Sequence, residues 1–142
     1  MRYKLPVSVL VLVYTPDLHV LLLERADYPE HWQSVTGSQE EGETLEQTAR
    51  RELREETGLT VGAMEWLGFY WDRYYLEGFG FFPTMNFYFL ARWRSGVPRA
   101  GDDAAEAEWV PAAKLGGPGQ RLAWRHMREV FRDVRRRLRA RS

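Results

Sequence analysis

The stretch from Gly37 to Leu59, GSQEEGETLEQTARRELREETGL, decides how the rest of the chain is read. Its second half, from Leu45 to about Thr57, reads as a helix. Thr44 followed three residues later by Gln47 is a capping-box pattern, in which each side chain satisfies the other's open backbone N–H. Gly58 stands where helices end in a left-handed residue. On a wheel of about 100° per residue with Leu45 at zero, Ala49 near about 40° and Leu53 near about 80° form an apolar stripe. Glu56 falls inside that stripe at about 20°, Glu52 and Glu55 border it at about 340° and 280°, and Gln47, Arg50 and Arg54 take the solvent side. Glutamates placed only for solubility belong opposite the stripe. Like charges four residues apart cost ~0.2–0.5 kcal/mol even on an exposed face, and near a core two charges 4 Å apart repel by ~4 kcal/mol at an effective dielectric of about 20. Arg51 can reach Glu55, but one arginine cannot offset three carboxylates. A hard divalent cation with oxygen ligands can, so the helix reads as a site for Mg²⁺ or Mn²⁺.

Working outward, the chain has 142 residues, 44% hydrophobic and 28% charged, which suits one globular domain over 1–142. Twenty basic residues balance twenty acidic ones, so net charge selects no partner, but its distribution is uneven. Residues 38–56 hold seven glutamates against three arginines, and residues 120–142 hold nine arginines against Glu129 and Asp133. Arginines at a helix end favour its negative pole, and nothing aromatic is interleaved with them for base readout, so nucleic acid is not the expected partner. No cysteine occurs, which excludes disulfides, a thiol nucleophile and sulfur-ligated zinc. No apolar run reaches about 18 residues. The apolar segment at 5–14 reads as a buried strand rather than a signal peptide, and the expected compartment is the cytoplasm. Further strands are expected at 19–24, 64–71, 85–94 and 106–110, with a second helix at about 120–138 from Trp124, Met127, Phe131, Val134 and Leu138 at helical spacing. Strands with one helix mid-chain and one at the end indicate an α/β or α+β layered domain.

Gly37, five residues, Glu43, seven residues and then Arg51-Glu52-Leu53-Arg54-Glu55-Glu56-Thr57-Gly58-Leu59 resemble the Nudix box at every fixed position. The resemblance implies an α/β/α sandwich around a mixed sheet and Mg²⁺-dependent hydrolysis of a phosphoric anhydride in a small nucleotide-like substrate. Carried onto this chain, Glu52, Glu55 and Glu56 would hold metal, with Glu52 or Glu55 as general base. Arg51 would pair with Glu43 to orient the helix, the Thr36 carbonyl would add a ligand, and Gly37, Gly42 and Gly58 would form tight turns with unusual backbone angles.

Outside the box, Pro6-Val7-Ser8, Trp32-Gln33-Ser34-Val35-Thr36-Gly37-Ser38 and Glu40-Glu41-Gly42-Glu43-Thr44 look like the dihydroneopterin triphosphate diphosphatase branch of the family, which also cleaves dATP. On that likeness Lys4, Arg25 and Thr36 contact the substrate, a nucleoside or pterin triphosphate that leaves as monophosphate and pyrophosphate. The late segment from Gly101 to Trp109 resembles instead ADP-ribose and dinucleotide pyrophosphatases. The further acidic metal ligand is thus Asp103 on the first likeness and Glu106 on the second. The aromatics from Trp71 to Phe82 could stack a purine or pterin ring, fill a core or form the face of a homodimer. Gly78 and Gly80 mark the tip of that hairpin. His19, His31 and His126 have no metal spacing.

Overall fold

The computed structural model describes residues 4–27, 30–97, 104–118, 120–123 and 125–141. Alternating apolar residues build the central strand β1 (Lys4–Tyr14), and every other element is placed relative to it. Val9, Val11 and Val13 point to one side and Leu10 and Leu12 to the other, all at or below 1% exposure, as expected for a strand covered on both faces. β1 runs parallel to β6 (Gly80–Ser95), with Val7 opposite Met85 and Tyr14 opposite Arg92. Its other edge pairs antiparallel with β4 (Val35–Glu40) and, at Tyr14, with β2 (His19–Arg25). β2 carries β3 (Trp32–Gln33) and β7 (Ala104–Pro111), and β5 (Thr60–Leu76) closes the far side as a hairpin with β6. The result is a mixed seven-stranded sheet.

One helix covers each face. The odd-numbered valines of β1, with Leu21, Leu23 and Val35, pack against Ala49 and Leu53 of α1 (Leu45–Thr57). Leu10, Leu12 and Leu22 pack against Met127, Val130, Phe131, Val134 and Leu138 of α2 (Met127–Arg139). The α/β/α sandwich is therefore as expected. No helix among the described residues is long and apolar enough to cross a membrane.

Helix α1 keeps its expected bounds. Thr44 Oγ1 accepts from Gln47 N–H at 3.1 Å, Gln47 Oε1 accepts from Thr44 N–H at 2.8 Å, and Gly58 closes the helix at φ 78°. Helix α2 starts seven residues later than its expected onset near residue 120. The preceding segment gives its backbone to β3 instead: Trp32 N–H donates to Arg121 O and Ala123 N–H to Trp32 O, both at 2.9 Å. Trp124, which extended the helical spacing, lies outside the described residues.

The hairpin is longer than expected, and its tip is at Gly78 and Gly80, with φ 88° and 93°. Trp71, Tyr75, Phe79 and Phe81 are not core residues, with exposures of 58–77%. Beyond the footprint of α1 nothing among the described residues covers that face, although Arg73 lies over the Phe81 ring at 4.5 Å.

Candidate functional site

The strand β4 and the helix α1 together present the acidic centre. Arg51 is its hub. The guanidinium, in a side chain only 14% exposed, donates from Nε to Glu43 Oε2 at 2.7 Å and from Nη2 to Glu43 Oε1 at 3.0 Å. It also donates from Nη1 to Glu52 Oε1 at 2.8 Å and Glu55 Oε2 at 3.2 Å, and from Nη2 to the Ser38 carbonyl at 3.0 Å. Glu40 stands 3.5 Å away. A bidentate fork between guanidinium and carboxylate is among the strongest polar contacts available to a protein, and here it ties the helix to the loop that precedes it.

Glu43 is supported from both sides. Glu40 N–H and Thr48 Oγ1 each donate to its Oε1 at 2.9 Å. The Arg51 fork in particular holds the Glu43 carboxyl at about 2, well below the carboxylate norm. Because the folded-state value is depressed, this stabilisation is complete above the ordinary value of about 4.5 and is lost as pH falls towards about 2. Glu43→Gln is therefore expected to cost about 2 kcal/mol near neutral pH. Melting temperatures followed from pH 7 down to 2 should show the gap between native protein and variant narrowing through that window. A gap independent of pH would contradict the pairing.

Glu52 is held differently. Burial pushes its carboxyl up, the Arg51 contact opposes that shift, and the charge of Glu55 adds to it, with Glu56 adjoining. Its packing explains Gly37. A Cβ built on Gly37 would lie 2.0 Å from Glu52 Cδ and 2.4 Å from Glu52 Oε1. Gly37 is thus not the turn glycine expected from the sequence: it sits within β4, opposite Val9, and is required because a carboxylate rests on its Cα. Gly42 and Gly58 do adopt positive φ, at 88° and 78°.

Glu56 Oε2 is buried, whereas Glu55 is 59% exposed in its side chain. Among the described residues, no three Asp, Glu or His side chains converge at coordinating distance, and Glu55 leans on Arg51. The donor set still fits a hard divalent ion, because its atoms are carboxylate oxygens, one pressed into a notch and desolvated beside two other acids. Four carboxylates within 4 Å of one guanidinium leave the centre short of positive charge.

The remaining expected residues are placed less uniformly. Thr36 lies next to Gly37 in β4, opposite Leu10, so strand alternation turns it to the α2 side, and its hydroxyl donates to Ser34 O at 3.1 Å. Arg25 is engaged by Asp27, at 2.7 Å from Nε and 2.5 Å from Nη2, with Gln33 Oε1 at 3.4 Å. The Lys4 backbone pairs opposite Glu40, and its side chain lies outside the described part. Asp103 also lies outside the described residues. Glu106, expected in a late loop, is instead part of strand β7, opposite Glu24. Its neighbour Ala107 and Trp109 face the α1 side, so alternation sets Glu106 on the α2 side, away from Glu52 and Glu56.

Two supporting residues were missed in the sequence, Thr48 and Glu40. Thr48 carried a signal, as a polar residue on the buried side of the helix. Glu40 carried none, because its position depends on a strand recognised only through its pairing with β1.

The residues from 4 to 134 match the NUDIX domain. The chain belongs to the Nudix family. Within this family, the dihydroneopterin triphosphate diphosphatase of Escherichia coli K12 is 56% identical over 62 residues, which are 43% of this chain and 41% of that protein. The NAD-capped RNA hydrolase NudC of Pseudomonas aeruginosa is 30% identical over 131 residues, 90% of this chain and 44% of that one. The matched stretches thus span less than half the length of either relative. The solved structure of the E. coli dihydroneopterin triphosphate pyrophosphohydrolase superposes with a TM-score of 0.68 at 28% identity, covering 94% of this Nudix chain and 98% of the other.

Proposed function

We propose that this Nudix domain hydrolyses a phosphoric anhydride in a nucleoside or pterin triphosphate, releasing a monophosphate and pyrophosphate. The observation that carries the reading is Glu52, lodged on Gly37 and held by Arg51 beside Glu55 and Glu56. The stretch 56% identical to the E. coli diphosphatase favours the triphosphate class.

Glu52, Glu55 and Glu56 would hold Mg²⁺ or Mn²⁺. Such an ion, when bound, supplies the positive charge that offsets charge building on the phosphate oxygens. The residues divide the remaining work. Arg51, anchored by Glu43, fixes where the Glu52 carboxylate stands. Glu55 has one oxygen against Arg51 and most of its side chain in solvent, so it is the carboxylate free to take a proton from the attacking water. Lys4 and Arg25 would meet the phosphate chain, with Thr36 reaching it only through its backbone, because its side chain turns to the α2 side. For Arg25 this requires exchanging Asp27 for a substrate phosphate, a replacement that keeps its bidentate geometry.

A second reading is hydrolysis of a dinucleotide or ADP-ribose-like diphosphate. It draws on the likeness to NudC, which extends over 90% of this chain. The two readings separate in one competition assay. The protein is incubated with Mg²⁺ and equal amounts of dihydroneopterin triphosphate, dATP, ADP-ribose and NAD, and the products are separated by mass. Preferential loss of the pterin triphosphate or dATP with pyrophosphate release supports the first reading. Preferential formation of AMP from ADP-ribose or NAD overturns it in favour of the second.

A further inference from the structure

On the α2 side of the sheet, remote in the fold from the acidic helix α1, a cavity of about 410 Å³ opens between α2, the turn joining β1 to β2, and the 3-10 turn Ala112–Lys114. The volume lies in the range of small-molecule sites. Leu18, Pro111, Ala112 and Leu138 give it an apolar wall, and Arg135 and Arg139 stand along it one helical turn apart. None of Glu43, Arg51, Glu52, Glu55 or Glu56 lines it.

Two features set this cavity apart from an incidental surface dip. The first is Arg135. Its side chain is half-buried, it runs over Gly116, and its Nη1 donates to the Leu115 carbonyl. That partner is neutral. Among the described residues no carboxylate lies within ion-pair distance of Arg135, unlike Arg137 and Arg141, which share Glu65. A second guanidinium four residues along the same helix face adds like charge. Among the described residues that line it the one acid, Asp17, is turned to Thr15 Oγ1 at 2.5 Å and His19 Nδ1 at 3.3 Å.

The second feature is Leu18. Its φ is 61°, a conformation that residues with side chains rarely adopt. Backbone bonds of 2.9 Å hold it there, from Leu18 N–H to Thr15 O and from Ala112 N–H to Leu18 O. The second bond ties the turn to the 3-10 segment, so the two apolar edges of the cavity are fixed to each other without a side chain filling the space between them.

We infer that this cavity is a second ligand site, which takes a small organic anion: an acidic head on Arg135 and an apolar body against Leu18, Pro111 and Leu138. The pairing of a cation lacking a carboxylate partner with a preformed apolar wall selects that chemistry over a neutral apolar ligand or a bare inorganic ion. Nothing in the inference depends on which anhydride the acidic centre cleaves.

The probe is 8-anilinonaphthalene-1-sulfonate, an acid with an apolar body, titrated into the full chain by fluorescence, with the uncharged N-phenyl-1-naphthylamine alongside. A single saturable sulfonate site is expected. Arg135→Gln should weaken it about tenfold while leaving the neutral dye unaffected, and Arg135→Lys should recover part of the loss. Ala113→Trp, on the exposed rim, should fill the cavity and abolish binding of both dyes while leaving the Arg135 contact to Leu115 untouched. That variant decides the matter even if Arg135→Gln folds poorly, with circular dichroism confirming its fold. Sulfonate binding unchanged by Ala113→Trp overturns the inference, as does a signal that disappears only when Trp71 and Phe81 of the exposed hairpin are replaced by Ser.

Discussion

Glu55→Gln is expected to reduce turnover by about 10²–10⁴-fold, the usual share of a general base, while leaving the fold intact. The two halves of that expectation have separate grounds. The side chain of Glu55 is 59% exposed, and among the described residues Arg51 Nη1, at 3.2 Å, is its hydrogen-bonding partner. An exposed pair of this kind contributes about 0–1 kcal/mol, so the melting temperature should hardly move. Chemically, an amide cannot accept the proton that the proposed reaction must remove from water. Steady-state kinetics beside a thermal melt make the comparison. Turnover within about twofold of the native protein would remove Glu55 from the proton-accepting role. Glu56→Gln, at a buried oxygen, removes no proton acceptor, so its loss should come through metal affinity alone and raising Mn²⁺ should recover part of its activity.

The second large effect belongs to a residue with no side chain. Gly37→Ala places a methyl 2.0 Å from Glu52 Cδ. The nearest atoms are the far end of a flexible side chain, and Gly37 has no positive φ, so alanine strains no backbone there. The protein can accommodate the change by swinging Glu52 out, at a rotamer cost of about 0.5–1.5 kcal/mol partly offset by the reduced freedom of the unfolded chain. The acidic centre cannot accommodate it. Glu52 leaves Arg51 and moves away from Glu56 by more than the ~1 Å that can cost about 10²-fold in rate. A variant with nearly native melting and about a hundredfold less activity is the expected result. Full activity in Gly37→Ala would mean that the position of Glu52 on Gly37 does not matter for function.

These two predictions mark what could be read in the sequence. The helix α1 was legible because its signals are local: Thr44 and Gln47 cap each other, Gly58 ends the helix, and the angular position of Glu56 betrays a carboxylate turned inward. The pairing of Arg51 with Glu43 could be anticipated only through family resemblance, since nothing in their spacing requires a loop residue to turn back onto the helix. The role of Gly37 was misread. A glycine that accommodates a neighbour looks the same in sequence as one that bends the chain, and the difference depends on where Glu52 comes to rest. The strand β4 was not legible because Gly37-Ser38-Gln39-Glu40 has little intrinsic strand preference and is held by β1, an instance of tertiary pairing overriding local preference. The start of α2 failed for a similar reason, since Trp32 takes up the backbone groups of Arg121 and Ala123.

Thermal unfolding of the native protein and of Glu52→Gln, each in excess EDTA and in excess Mg²⁺, tests the central claim most directly. An ion that binds only the folded state at a hundred times its dissociation constant stabilises it by about 2.7 kcal/mol. Mg²⁺ should therefore raise the melting temperature of the native protein by several degrees and leave Glu52→Gln almost unmoved. Identical melting of the native protein with and without Mg²⁺, or an equal rise in both proteins, would contradict a metal centre built on Glu52.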